Sequence, residues 1–317
     1  MPNKVSAESF YFDAQRLLGE KMVGILHGDI SLYLNNDDEE NGLEVSLEDN
    51  NLTRNLAKPY TIATVDQYII SMFKYPNYEK TFASIYNSNI TVDEVHLLTP
   101  RMYLILIYFI QFAHKYLNTK FHLMTATMPE IYKEKLKECN VDFKHIDTET
   151  PKSGKDIEAN YIKNSDVDNI VENGLKKKYK ILIVKNTIKG AIEAYLSLKK
   201  RFPNSEINLL HSRFKLKDKK KKYDEIRSQK GDIWVATQMV EVSLDLDFQI
   251  VMSDAAPMDS IIQRMGRCNR HNTLDVGLFY ILDNYKDNIV YSKILKEETY
   301  KLLKSEKTLT MEKRRQL

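Results

Sequence analysis

The feature that most constrains this chain is a repeated alternation: a short β-branched run, a polar exit, then a helical pattern. The runs in the first half are Tyr60-Thr61-Ile62-Ala63-Thr64, Asn89-Ile90-Thr91-Val92-Asp93 and Phe121-His122-Leu123-Met124-Thr125. In the second half they are residues 180–184, 207–210, 232–236, 248–252 and 277–282. Strands alternating with helices require crossover connections, and crossovers make parallel sheets. In such open sheets ligands gather at the carboxyl ends of the strands. The polar exits are therefore where chemistry is expected.

A polar segment from Asp147 to Asp156, holding Pro151, Ser153 and Gly154, interrupts the alternation, which then restarts. With 317 residues there is room for roughly two domains. The expected division is residues 1–148, a linker at 149–160, a second domain at 161–284 and a charged helical segment at 285–317. The acidic stretch from Asn35 to Asn51 reads as a loop.

Other classes are excluded by composition. Cys139 and Cys268 are the two cysteines; they lie far apart, make no CxxC pair and fit a reducing cytosol. The apolar run Tyr103–Ile110 is too short to span a bilayer and reads as a buried helix. No apolar leader follows Met1, so a cytoplasmic chain without membrane attachment is expected. A net charge of +3 from 47 basic and 44 acidic residues neither demands nor forbids nucleic acid. Lysine runs at 176–178 and 219–222 read first as solvated surface.

Asp93-Glu94-Val95-His96 leaves a strand end. Phosphoanhydride hydrolysis needs an acid to hold Mg²⁺, often through water, and a group to orient the attacking water. Asp93 suits the metal, Glu94 the water, and His96 a relay; a solvated acidic loop is the plain alternative. Thr125-Ala126-Thr127 closes the next strand, where its hydroxyls can couple the acid pair to other groups or cap a helix before Pro129. Gln263, Arg264, Arg267 and Arg270 recur at helical spacing. Planar guanidinium groups bind phosphate oxygens in fixed geometry, and one presented to a γ-phosphate raises rates roughly 10³–10⁵-fold. An ordinary arginine-bearing surface helix is the alternative. Thr237 and Gln238 at a further strand end suit a sugar-phosphate backbone, and Asp245 a nucleotide; capping by Thr237 and Ser243 competes.

The block V-A-T-Q-M-V-E-V-S-L-D-L-D-F-Q-I-V-M-S-D-A-A-P-M-D-S-I-I-Q-R-M-G-R-C-N-R-H at Val235–His271 resembles the helicase part of the CRISPR-associated helicase-nuclease of type I systems, a superfamily 2 DExH helicase. So do T-V-D-Q at Thr64, D-E-V-H-L-L at Asp93, T-A-T-M-P at Thr125, V-K-N-T at Val184 and L-L-H-S-R-F at Leu209. The motifs span nearly the whole chain in the family's order. The resemblance implies two RecA-like parallel-sheet domains and an ATP-driven, Mg²⁺-dependent translocase moving 3′ to 5′ on single-stranded DNA. It also implies recruitment by a guide-RNA surveillance complex. By position, Asp93 and Glu94 match the metal and water residues. Thr125 and Thr127, with His96, match the coupling group, and Gln263, Arg267 and Arg270 the γ-phosphate sensors. Thr64, Asn186, Thr187, Arg213, Thr237 and Gln238 fall along the DNA track, and Asp245 beside the nucleotide.

Two family features are missing from these 317 residues. No G-x-x-x-x-G-K-[ST] occurs: the sole Gly-Lys pair, Gly154-Lys155, precedes Asp156. No His-Asp doublet of an HD nuclease occurs either, and a nuclease on a separate chain is one arrangement this leaves open. The expectation is a chain truncated at both ends, whose first RecA-like domain lacks its N-terminal strand and phosphate loop and which has negligible ATPase activity alone. A different superfamily 2 RNA or DNA helicase, or a non-catalytic nucleic-acid-binding scaffold, remain as alternatives.

Overall fold

The computed structural model describes residues 4–28, 52, 56–125, 130–146, 156–241, 246–284, 290–305 and 308–309. The chain divides into two compact units, Met1–Thr148 and Glu149–Leu317.

The first unit contains α1 (Lys4–Leu18), β1 (Val23–Leu26), β2 (Tyr60–Ala63), α2 (Asp66–Ile69) and α3 (Tyr78–Ile85), then β3 (Asn89–Val92), α4 (Pro100–Leu117), β4 (Lys120–Leu123) and α5 (Glu130–Glu138). β1 pairs with β2 and β3 with β4, both in parallel. The expected apolar helix is α4. It begins there because the Thr99 hydroxyl accepts the Met102 N–H at 3.3 Å and Pro100 occupies the first turn, where no N–H is needed. It stops where Asn118 turns left-handed, at φ 51°. Tyr103, Leu106, Ile107, Ile110 and Ala113 recur on one face and are buried, with Val65 and Ile69 around α2 and Val92 of β3 in the same core. Burying each such side chain stabilises by about 1.5–3 kcal/mol. Tyr103 stacks on Tyr132 of α5 at 4.1 Å and donates to its carbonyl.

The second unit contains β5 (Ile157–Ile162), α6 (Val167–Lys176), β6 (Ile181–Val184), α7 (Ile188–Arg201), β7 (Ile207–Leu210) and α8 (Leu216–Arg227), then β8 (Ile233–Ala236), β9 (Ile250–Ser253), α9 (Met258–Met265), β10 (Gly277–Leu282), α10 (Lys293–Ser305) and β11 (Thr308–Leu309). Its sheet runs β11-β5-β10-β9-β6-β8-β7, parallel throughout except for β11 against β5. Every residue of β6, β8 and β9 is buried. Side chains alternate between two cores, as a period of two dictates. Ile181 and Ile183 meet Ala191 and Leu198 of α7, whereas Leu182 and Val184 share a core with Ile226 of α8, Ile261 of α9 and Leu303 of α10.

The expected α/β class with parallel sheets is the one adopted. Two boundaries differ. The linker assigned to 149–160 gives way to β5 at Ile157, because Ile157 and Ala159 are buried beside β10. The segment after 285 is not an open helix: α10 buries Lys296, Thr299 and Leu303, its Tyr300 packs edge-on to Tyr161, and β11 extends the sheet. β1 and β5 escaped the sequence reading. Residues 35–51 lie outside the described residues.

Candidate nucleotide and nucleic-acid site

Asp93 and Glu94 leave the carboxyl end of β3, both half-buried. The exits of β3 and β4 are laced together, Met124 donating to the Val92 carbonyl and Val95 to that of Met124. Glu94 sits at φ 50°, a left-handed conformation that costs a non-glycine residue roughly 1–2 kcal/mol. His96 Nδ1 lies 2.7 Å from the Thr125 hydroxyl and 3.3 Å from a Glu94 carboxylate oxygen. Glu94 and the next strand's threonine thus form one polar chain through a mostly buried imidazole. Thr127 lies outside the described residues.

No group of three or more His, Cys, Asp or Glu that could hold a metal occurs among the described residues. Mg²⁺ sites commonly keep several waters and use one or two carboxylates together with substrate phosphates. Asp93 is the carboxylate to which the sequence reading gives that part, and it stands half-buried at the end of β3. Elsewhere in this unit, buried Thr64 follows β2, its N–H donating to the Leu26 carbonyl at 3.1 Å.

In the second unit the strand order lines up the exits of β9, β6, β8 and β7. Lys185, after β6, forms an ion pair with Asp254, after β9. The other Asp254 oxygen accepts the Asn186 N–H at 2.9 Å. Asn186 Nδ2 donates to the Ala255 carbonyl at 2.8 Å, and Gln238 Nε2 to the Asn186 carbonyl at 2.9 Å.

At the centre is Arg264, fully buried at 0% exposure. Its Nε and Nη2 each lie 2.7 Å from Glu241 Oε1, and Nη2 also donates to Asn186 Oδ1 at 3.0 Å. Nη1 donates to the Ser253 hydroxyl at 2.7 Å and the Asp254 carbonyl at 3.1 Å. Burial raises the Glu241 pKa above the ordinary carboxylate value, and the Arg264 charge opposes that rise. A buried pair of this kind contributes little net stability when intact, but removing one partner costs about 3–5 kcal/mol.

The arginine motif corrects the sequence reading. α9 ends at Met265 with Gly266 beyond it, so Arg267 and Arg270 do not continue its face. They occupy the following turn, because backbone partners hold them there. Arg267 Nε donates to the Val240 carbonyl at 2.9 Å and Nη2 to that of Glu241 at 2.6 Å. The Arg270 N–H donates to the Asp247 carboxylate at 2.6 Å, and its side chain is exposed. Gln263 is half-buried on α9, and Asp245 lies outside the described residues.

Of the track candidates, Thr187 caps α7, accepting the Gly190 N–H at 3.0 Å. Thr237 makes no side-chain cap bond to the turn at 238–240; it is buried, and its N–H donates to the Leu210 carbonyl. Arg213 is exposed after β7, its N–H donating to His211 Nδ1 at 3.2 Å. Sequence reasoning missed Lys185, Glu241, Ser253 and Asp254. The available signal was a charged residue directly after a wholly apolar strand, as at Lys185.

Units of parallel α/β sheet are the fold this chain shares with solved helicases, among them helicase Lhr of Mycobacterium smegmatis bound to ssDNA and AMP-PNP, at TM-score 0.63 and 16% identity over 89% of this chain and 39% of that one. The model of the C-terminal part of the CRISPR-associated nuclease/helicase Cas3 matches residues 177–273. A putative CRISPR-associated nuclease/helicase Cas3 of Methanocaldococcus jannaschii is 30% identical, over 96% of this chain and 45% of its own. The crystal structure of T. fusca Cas3-ATP aligns at TM-score 0.74 and 18% identity, covering 96% of this chain and 43% of that one. The pre-nicking CRISPR RNA-guided surveillance complex aligns at TM-score 0.66 and 19% identity, over 96% of this chain and 45% of its matched chain. The family this chain resembles, over nearly all its length, is therefore Cas3, in that protein's helicase part. The chain spans less than half the length of the curated relatives it matches.

No helix among the described residues is long and apolar enough to cross a membrane.

Proposed function

We propose that this chain supplies the strand-gripping and nucleotide-sensing parts of an ATP-dependent 3′-to-5′ DNA translocase serving CRISPR defence, working with a guide-RNA surveillance complex. The observation that carries this is the row of strand exits in the second unit. Asn186, Thr187, Thr237 and Gln238 stand there as uncharged groups; the Arg264–Glu241–Asp254–Lys185 network holds Asn186, and Asn186 in turn holds Gln238. Uncharged contacts to a sugar-phosphate backbone read no sequence, which a translocating motor requires. Thr64 and Arg213 extend the same role.

For the nucleotide, Asp93 serves Mg²⁺ and Glu94 orients water, while His96, Thr125 and Thr127 couple their state outward. Gln263, Arg267 and Arg270 sense the γ-phosphate, with Asp245 beside the nucleotide. ATP bound with Mg²⁺ supplies the phosphoanhydride whose cleavage drives movement.

The residues present hold the metal side of that site but not the phosphate cradle, since no G-x-x-x-x-G-K-[ST] lies in this sequence. A polypeptide of this sequence is accordingly expected to bind single-stranded DNA yet release negligible phosphate from ATP. The test is phosphate release with and without single-stranded DNA, beside strand binding at matched salt. Robust DNA-stimulated turnover lost in Glu94→Gln would overturn the inactivity. Tighter binding of single-stranded RNA than of DNA would favour a different superfamily 2 helicase.

A further inference from the structure

Several lysine-bearing helices here neutralise part of their own charge. Lys133 meets Glu130 at 3.1 Å, Lys176 meets Glu172 at 2.7 Å, and Lys301 meets Glu298 at 2.6 Å, each one turn away. α8 departs from this pattern. Lys219, Lys221 and Lys222 form no ion pair among the described residues, although Asp218 lies within one turn. Glu225 of the same helix pairs instead with Lys230, outside it, at 3.9 Å. Lys215, Lys219 and Lys222 fall four and three residues apart, so like charges share one face, with Lys221 exposed about 100° round the helix from Lys222; like charges so spaced destabilise an isolated helix. An unneutralised lysine face of this kind is one that a polyanion can cover.

Position says which polyanion. Exits of β9, β6, β8 and β7 form one row, and the Thr237 N–H to Leu210 carbonyl bond joins its last two members. After β7 come His211, exposed Arg213 and Phe214, and then α8. The His211 and Phe214 rings stack at 4.3 Å, and the Lys222 ammonium lies 4.9 Å from the Phe214 centroid. That contact ties Lys222, midway along α8, to the segment that leaves β7.

We propose that Lys219, Lys221 and Lys222 of α8 form an outer grip on the phosphate backbone of a nucleic-acid strand leaving that row of exits. The inference rests on the strand-binding reading above and adds a second, purely electrostatic contact.

Counterion release makes it measurable. Binding of labelled oligo(dT), followed by anisotropy across a salt series, yields the slope of log K against log salt. Each phosphate contact contributes roughly 0.7 to that slope for a single strand. Lys219→Gln/Lys221→Gln/Lys222→Gln should lower it by about 2, and the triple Lys-to-Arg variant should restore it. The same charge change in Lys176→Gln/Lys177→Gln/Lys178→Gln, which precede the amino end of β6 and so lie away from the strand exits, should leave the slope unaltered. Matched melting curves verify folding. Duplex DNA run in parallel distinguishes the strand form, and a slope change confined to duplex overturns the single-strand assignment. An unchanged slope in the α8 variant, as an acidic protein partner would give, overturns the proposal. An equal fall in the control does so too. Failure of the unaltered chain to bind any strand overturns the strand-binding reading itself, and this inference with it.

Discussion

The two units cover their parallel strands differently. In the second, β6, β8 and β9 are buried at every position, with α7 closing one face and α8, α9 and α10 the other. In the first, β4 alternates exposed and half-buried: Phe121 and Leu123 face the α4 core while Lys120 and His122 are exposed. Among the described residues its strands form two separate parallel pairs. Parallel sheets are normally covered on both faces. The second unit therefore has a dry interior in which Arg264 and Glu241 must satisfy one another, whereas the acid pair of the first stays half-exposed.

The largest test of that contrast is Arg264→Ala. It strands a buried carboxylate and should destabilise the second unit by about 3–5 kcal/mol in denaturant unfolding, with Glu241→Gln in the same chain recovering part of the loss. An unchanged midpoint would mean the network is not buried as described. Amide exchange comes next. Amides of Ile181–Val184 and Ile233–Ala236 should exchange at least ~100-fold more slowly than those of Lys120–Leu123, and equal protection would erase the distinction.

Helix caps give a smaller, matched pair. Thr99→Ala in the first unit and Thr187→Ala in the second should each cost about 1 kcal/mol. Only Thr187→Ala should also weaken single-strand binding in a titration. The smallest effect is on pH. Burial lowers the His211 pKa, with the charges of Arg213 and Lys222 acting in the same direction. A histidine that loses basicity on folding contributes stability above its unfolded value, about pH 6.5, and that contribution is lost as pH falls below it. The second unit's thermal midpoint should drop correspondingly, and His211→Gln should flatten the dependence.

Much of the fold was legible because strand signals are local. β7 and β10 coincide with their apolar runs, and β6 and β8 differ by one residue at the start. β5 was hidden because Asn160 and the polar stretch before it masked the alternation of Ile157 and Ala159. In the site, the His96–Thr125 contact joins groups 29 residues apart that the sequence reading had linked only by role. The arginine turn was misjudged as helix. Spacing alone cannot show that Arg267 is drawn to the Val240 and Glu241 carbonyls, which end the helical course.

By itself, then, the sequence determined the α/β class, the positions of most strands and the family resemblance, since these rest on periodicity and on short contiguous motifs. Tertiary structure alone decided which arginine is fully buried against a carboxylate. Arg264 is that one because Glu241, Ser253, Asp254 and Asn186 converge on it, whereas the Arg267 guanidinium is held by backbone carbonyls. Those partners come from separate segments, and only packing brings them within 3.1 Å of one guanidinium.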